Sequence, residues 1–185
     1  MGFHTFDPAR ADQLEDPTRY AYLSVDELLA LFDPGPEDVV ADLGSGTGFY
    51  TDDVAAAAGT VYAVDVQPEM HELYREKGMP ENVEPLTAPI DDLPLDDGAL
   101  DAAFSTMTYH EFAGEGALDE LARVLGPGGR LVTVDWSASG EGESGPPRDE
   151  RFDTAAAVSH HEAAGFTVER ADERPETMLV VATQD

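Results

Sequence analysis

Three glycines, Gly44, Gly46 and Gly48, follow the apolar stretch Val39-Val40-Ala41-Asp42-Leu43. Glycine lets a chain turn sharply and lets a ligand approach the main chain closely. A dinucleotide fingerprint wants glycines at the first, third and sixth places. Here the sixth place is Phe49 and the third glycine comes one residue early, which counts against NAD or FAD and an oxidoreductase. Taken alone, the run also suits a plain structural turn. Twenty-one residues after Gly44 stands Asp65, at the end of the next apolar stretch. An acid there can accept hydrogen bonds from a ribose diol, or it can cap the next helix. Strand, glycine loop and terminal acid in this order favour the diol. A third group is Tyr109-His110-Glu111. His110 or Glu111 is a candidate general base, with Tyr109 as a wall or an orienting hydroxyl. The plainer reading of His110 is a loop histidine.

Other titratable clusters are less promising. His160 and His161 are adjacent and lack the i, i+4 spacing of a zinc helix; they are expected to be partly exposed structural residues. Asp91-Asp92 and Asp96-Asp97-Gly98 have no EF-hand spacing and read as solvated loop acids. With no cysteine in the chain, a disulfide scaffold, a thiolate zinc site and a cysteine nucleophile are excluded. No metal is expected. Trp136 could line a pocket or belong to the core.

Strand and helix signals alternate from residue 24 onward. Ser24-Val25-Asp26-Glu27 is a capping box, and Val25, Leu28, Leu29 and Phe32 share one helix face. Strands are expected at 37–43, 60–65, 82–87, 99–106, 130–136, 166–173 and 177–183, with helices at 49–58, 68–77, 116–125 and 153–164 between them. Such alternation with short links predicts an α/β fold, a Rossmann-like doubly wound sheet with helices on both faces. Three residues, Arg174-Pro175-Glu176, join the last two strands. So short a link permits only a hairpin, so the sheet is mostly parallel with a C-terminal antiparallel hairpin strand. In an open α/β sheet the site lies at the carboxyl ends of the strands. That places the glycine loop, Asp65 and His110 together. Residues 1–23, with Phe3, Phe6 and Tyr20, are expected to form an N-terminal cap segment on a domain spanning 24–185. The long loop 137–150 is a candidate lid.

The charge bounds the partners. Thirty-nine Asp and Glu face ten Lys and Arg, a formal −29. Lys77 is the single lysine. Such a surface repels phosphate backbones and anionic membranes, so no nucleic acid partner is expected. The acids are spread along the chain, and self-repulsion destabilises a compact state in dilute buffer. At ~1 M salt the screening length falls to about 3 Å. A protein of a salt-rich cell, as in halophilic archaea, fits this composition. There is no apolar run of membrane-spanning length, and Met1 to Asp7 carries no secretory pattern. The expectation is a cytoplasmic protein.

Several segments together resemble one family. VVADLGSGTGFYT, AVDVQPEM, APIDDLPLDDGALDAAFST, LDELARVLGPGGRLVTVDW and AAGFTVER are similar, in that order, to the motifs of class I S-adenosylmethionine (SAM)-dependent methyltransferases. They are similar to the small type 11 group related to the ubiquinone/menaquinone-biosynthesis enzymes. The resemblance covers roughly residues 24–184. It implies SAM as cofactor and methyl transfer to a small-molecule acceptor. It also implies roles: Asp42 for the methionine amino group or a water beside it, and the backbone of Leu43, Gly44, Ser45 and Gly46 along the methionine part. Asp65 would hold the ribose, Val66 and Met70 would cover the adenine, and Ser105 would face the methionine moiety. The family's acid for the adenine amine falls on Pro89, leaving the backbone of Ile90 or the side chain of Asp91 for that task. The alternative is a SAM-binding module without transferase activity.

Overall fold

The structure, a computed structural model, describes residues 5–114 and 116–185. Seven strands form one sheet: β1 (Val39–Leu43), β2 (Thr60–Asp65), β3 (Val83–Thr87), β4 (Leu100–Thr106), β5 (Leu125–Trp136), β6 (Thr167–Glu173) and β7 (Thr177–Thr183). Their order is β3-β2-β1-β4-β5-β7-β6. β1 to β5 pair in parallel, while β7 runs antiparallel to both β5 and β6. The expected mixed doubly wound sheet is therefore present. The chain builds outward from β1 to β3, then returns to place β4 and β5 on the other side. The order reverses between β1 and β4.

Helices cover both faces. α1 (Val25–Phe32), α2 (Phe49–Ala55) and α3 (Pro68–Lys77) pack one core with Leu28, Phe32, Tyr50, Val54 and Tyr74 against Val40, Val61 and Phe104. A four-residue turn α4 (Tyr109–Phe112), with α5 (Ala117–Val124) and α6 (Thr154–Ala163), packs the other. Here Tyr109, Leu118, Leu121 and Ala157 meet Leu43, Ala103 and Leu131. Ser24 caps α1 through its hydroxyl, which accepts from Glu27 N–H at 3.2 Å.

Two local expectations change. The fifth strand starts at Leu125, not 130, because Leu125 takes an extended conformation straight after α5 and pairs with Leu100 before a bulge. Residues 109–112 form a helical turn where a loop was expected. Ahead of α1, Pro8–Glu15 and Pro17–Ala21 form 3-10 turns, each capped by an aspartate side chain, Asp7 and Asp16. The loop after β5 is tied down by Arg151, which donates to the carbonyls of Pro146 at 2.8 Å, Ser144 at 2.5 Å and Ser137 at 3.4 Å.

One glycine shows how tightly α2 is set. Gly48, at its N-terminus, has φ +83, and a Cβ there would strike the buried Tyr74 ring. Gly48→Ala is expected to destabilise the fold by about 2–4 kcal/mol. The readout is a lower urea midpoint at unchanged m-value.

Candidate active site

A crevice opens beyond the carboxyl ends of β1 and β4, at the reversal in strand order, where open α/β sheets bind ligands. Two loops make its floor. In the first, Gly44 and Ser45 both donate their N–H to Val64 O at 2.9 Å, pinning the glycine loop to the end of β2. Gly44 has φ +78, and a Cβ on it would run into Thr108. The β1 and β4 loops touch because this residue has no side chain. Asp65 accepts from Gly46 N–H through Oδ2 and from Gln67 N–H through Oδ1, both at 2.9 Å. Burial pushes the Asp65 carboxyl up, and these backbone donors only partly pull it back. Each oxygen keeps a further lone pair for a ligand.

In the second loop, Met107 leaves β4 with φ +58. That conformation costs a non-glycine residue about 1–3 kcal/mol and is held by its N–H on Val134 O at 2.8 Å. The reversal carries α4 across the end of β5. His110 N–H donates to Asp135 Oδ2 at 2.6 Å, and His110 Nδ1 lies 2.9 Å from the same oxygen and 3.1 Å from Oδ1. Asp135 is fully buried and also accepts from Trp136 N–H at 2.7 Å. A carboxylate so placed keeps the proton on Nδ1 and leaves Nε2 open. Burial pushes His110 down, but the Asp135 hydrogen bond and the charges of Asp135 and Glu111 outweigh it, so the imidazole ends above its usual value. Glu111 Oε1 lies 3.9 Å from Nε2. Burial lifts the Glu111 carboxyl to about 7 against the pull of His110.

Both loops open into one cavity of about 1000 Å³. Gly44, Ser45, Gly46 and Asp65 form one part of its wall, and Val66, Met70, Ala88 and Ile90 an apolar slot beside them. His110, Glu111, Trp136 and Glu150 form another part. The N-terminal segment closes over it with Phe6, Leu14, Arg19 and Tyr22.

The profile described as a methyltransferase domain matches residues 41–133. A SAM dependent methyltransferase from Aquifex aeolicus, known from its crystal structure, is 33% identical, with 98% of this chain and 100% of that chain covered and a TM-score of 0.89. The chain belongs to the methyltransferase domain family. An uncharacterized methyltransferase of Mycobacterium bovis is 39% identical over 102 residues, 55% of this chain and 41% of the relative. The demethylmenaquinone methyltransferase of Clavibacter sepedonicus is 36% identical over 100 residues, 53% of this chain and 41% of the relative. The chain thus spans about two-fifths of the length of these curated relatives. The Aquifex aeolicus relative is SAM dependent, and SAM is the group against which this cavity is compared.

The residues present suit that group. It carries an ammonium, a carboxylate, a ribose diol and a flat adenine. The glycine loop lines the cavity at Gly44 and Gly46, and Asp65 offers charged acceptors beside an apolar slot. Beneath the loop, Asp42 is buried, with Oδ2 accepting from Thr51 Oγ1 at 2.6 Å and Oδ1 without a partner among the described residues. Burial raises its carboxyl to about 7. Ser45 Oγ in the wall is unpartnered as well.

Of the thirteen candidate cofactor-binding and catalytic residues, nine line the cavity: Gly44, Ser45, Gly46, Asp65, Val66, Met70, Ile90, His110 and Glu111. Four do not reach it. Leu43 turns into the core with Leu121. Asp42 lies a layer below the wall. Ser105 is fully buried on β4, its Oγ without a partner among the described residues. Tyr109 is corrected most: it is neither wall nor orienting hydroxyl. It is fully buried against Phe112 and Phe152, its OH 2.9 Å from His160 Nδ1, because successive residues of a helical turn face different sides. His161 is not partly exposed either; it is buried between Thr133 Oγ1 at 3.1 Å and Ala157 O at 2.8 Å. Burial lowers its imidazole to about 4. Trp136, Phe6 and Asp91 are at the cavity and Tyr20 is not, packing instead at a tilt against Phe49; Phe3 lies outside the described residues. Asp135 escaped sequence reading. Its signal was an acid inside the otherwise uncharged stretch Leu131-Val132-Thr133-Val134-Asp135-Trp136.

Proposed function

We propose that this methyltransferase domain transfers the methyl group of SAM to a small-molecule acceptor whose nucleophile carries a proton. The observation that carries this reading is the His110–Asp135 pair at the cavity wall, with Nδ1 engaged and Nε2 free. When bound, SAM supplies an activated methyl sulfonium, so transfer needs chiefly an in-line nucleophile within ~3–3.5 Å. Asp65 would hold the ribose hydroxyls, and Val66, Met70 and Ile90 would enclose the adenine. The backbone at Gly44 and Gly46 would run along the methionine part. Asp42 would meet the methionine ammonium through a water, its unpartnered oxygen being the acceptor. His110 Nε2 takes the acceptor's proton, and Asp135 stabilises the imidazolium that forms. A binding module without activity has no use for such a buried carboxylate–imidazole pair. The excess of acid further suggests work in a salt-rich cell interior, where dissolved cations screen the surface.

The test is S-adenosylhomocysteine (SAH) binding by calorimetry in molar KCl, together with transfer of labelled methyl from SAM into a cell extract. SAH is expected to bind and NAD not to. Asp65→Ala should weaken SAH by about 1.5–3 kcal/mol, the worth of hydrogen bonds to a charged group. Unchanged affinity in that variant would remove Asp65 from the ribose site.

A further inference from the structure

Around His110 the cavity wall has a distinct chemistry. Tyr22 and Trp136 meet edge to face with ring centroids 4.8 Å apart, and Tyr22 OH bonds Ser144 Oγ at 3.0 Å. That contact joins the N-terminal segment to the loop after β5. Two carboxylates, Glu111 and Glu150, face the same space, and both are near enough to raise His110. Glu111 is mostly buried, its side chain 24% exposed, yet it accepts no hydrogen bond from any described residue. A carboxylate that is desolvated without a donor or a cation is costly unless something in the cavity supplies one.

The ion-pair partner that the protein offers Glu111 among the described residues is His110, whose Nε2 stands 3.9 Å from Oε1, beyond hydrogen-bond reach; the arginines around the cavity supply no donor. Arg151 lies 5.8 Å from the Trp136 ring, but its guanidinium is occupied by the carbonyls of Ser137, Ser144 and Pro146. Arg19 is held over the Phe49 and Tyr50 rings and donates to Leu14 O. Arg10 sits over Phe6 and donates to Gln13. None of the three pairs with Glu111 or Glu150 among the described residues.

We propose that the methyl acceptor is an amine joined to an apolar or aromatic body, bound as its ammonium between Glu111, Glu150 and the Tyr22–Trp136 rings. This rests on the methyl-transfer reading above. Carboxylates and aromatic faces both attract an ammonium, whereas a carboxylate or phosphate on the acceptor would meet two like charges. The step balances. The ammonium gives one proton to His110 Nε2, which exposes the nitrogen lone pair. A nitrogen–carbon bond forms as the sulfur–methyl bond breaks, with that electron pair left on sulfur. The product is a methylated ammonium, and His110 passes its proton to solvent. Burial keeps Glu111 partly protonated near neutral pH, so ammonium binding should also release a proton from it.

Trp136 is the only tryptophan, so its fluorescence reports on this part of the cavity alone. The SAH complex is titrated with 2-phenylethylamine, 2-phenylethanol, phenylacetate and 2-naphthol. The amine should change the fluorescence saturably with at least tenfold tighter binding than the other three. Glu111→Gln and the exposed Glu150→Gln should each weaken the amine several-fold without altering SAH affinity. Equal or tighter binding of an alcohol, naphthol or carboxylate overturns the amine, as does indifference of both variants. Failure of SAH itself to bind overturns the methyl-transfer reading, so the two failures are told apart.

Discussion

His110→Ala is expected to lower turnover about 10²–10⁴-fold, the usual worth of a positioned general base, while SAH affinity stays within about twofold. The imidazole makes no hydrogen bond to the glycine loop or Asp65 among the described residues; its bonds are to Asp135. The loss should therefore fall on kcat, measured as labelled methyl transferred to the acceptor found in an extract. The pH profile carries the sign. The base must be neutral, and Asp135 holds the imidazole above its usual 6.5, so activity should climb with pH through a midpoint above 6.5. Asp135→Asn removes the charge that raises His110 and leaves the burial that lowers it. The midpoint should move to lower pH while the maximum rate drops, because an amide no longer fixes the proton on Nδ1. A merely structural histidine would not shift the profile in this way. A His110→Ala protein as active as the wild type would remove the base from the mechanism.

Melting temperature is expected to rise on the order of 10–20 °C between 0.1 and 3 M KCl, at roughly 2–4 °C per kcal/mol for a chain of this size. The formal charge is −29. Of the few cations, Lys77, Arg123, Arg130, Arg151, Arg170 and Arg174 already sit in ion pairs, and exposed pairs contribute little. Relief of the remaining repulsion must come from dissolved ions. Reversing the exposed Asp26, Glu81 and Asp92 to lysine should flatten the salt dependence.

Acid should partly replace salt. Asp42 and Glu111 have folded values of about 7, above their ordinary 3.8 and 4.5. A carboxyl raised on folding stabilises the protein when protonated, and that contribution is lost as pH rises through the folded value. The unliganded protein should therefore gain stability as pH falls from 8 toward about 5. His161 acts in the opposite sense: with a folded value of about 4, its contribution is present above 6.5 and fades toward 4. Asp42 thus favours the acid side, contrary to what a paired carboxylate would do. A melting temperature that stays flat from 0.1 to 3 M KCl would mean that the acidic excess has no role in salt adaptation.

The order of elements was legible because each rests on local physics. The Ser24 cap, the strand-to-glycine transition at Gly44 and the three-residue link at 174–176 each permit few backbone solutions. Together they require a parallel sheet closed by a hairpin. The glycine loop and Asp65 were legible for the same reason: they lie on neighbouring strand ends whose relation the alternation dictates. The excess of acidic residues needed no structure at all.

The tertiary structure decided everything that depends on which way a side chain turns. Tyr109, His110 and Glu111 are consecutive, and a loop reading could not separate them. A helical turn launched by the left-handed Met107 sends Tyr109 into the core and the other two into the cavity. Asp135 lies 25 residues beyond His110, and only the parallel pairing of β4 with β5 brings them together. The same folding separates His160 from His161 and leaves Asp42 and Ser105 beneath the wall. Spacing along the chain fixes strand ends and turns because these are set by backbone sterics and local hydrogen bonds. Burial, partners and charge state are set by whatever packs across from a residue, and that is a property of the folded sheet.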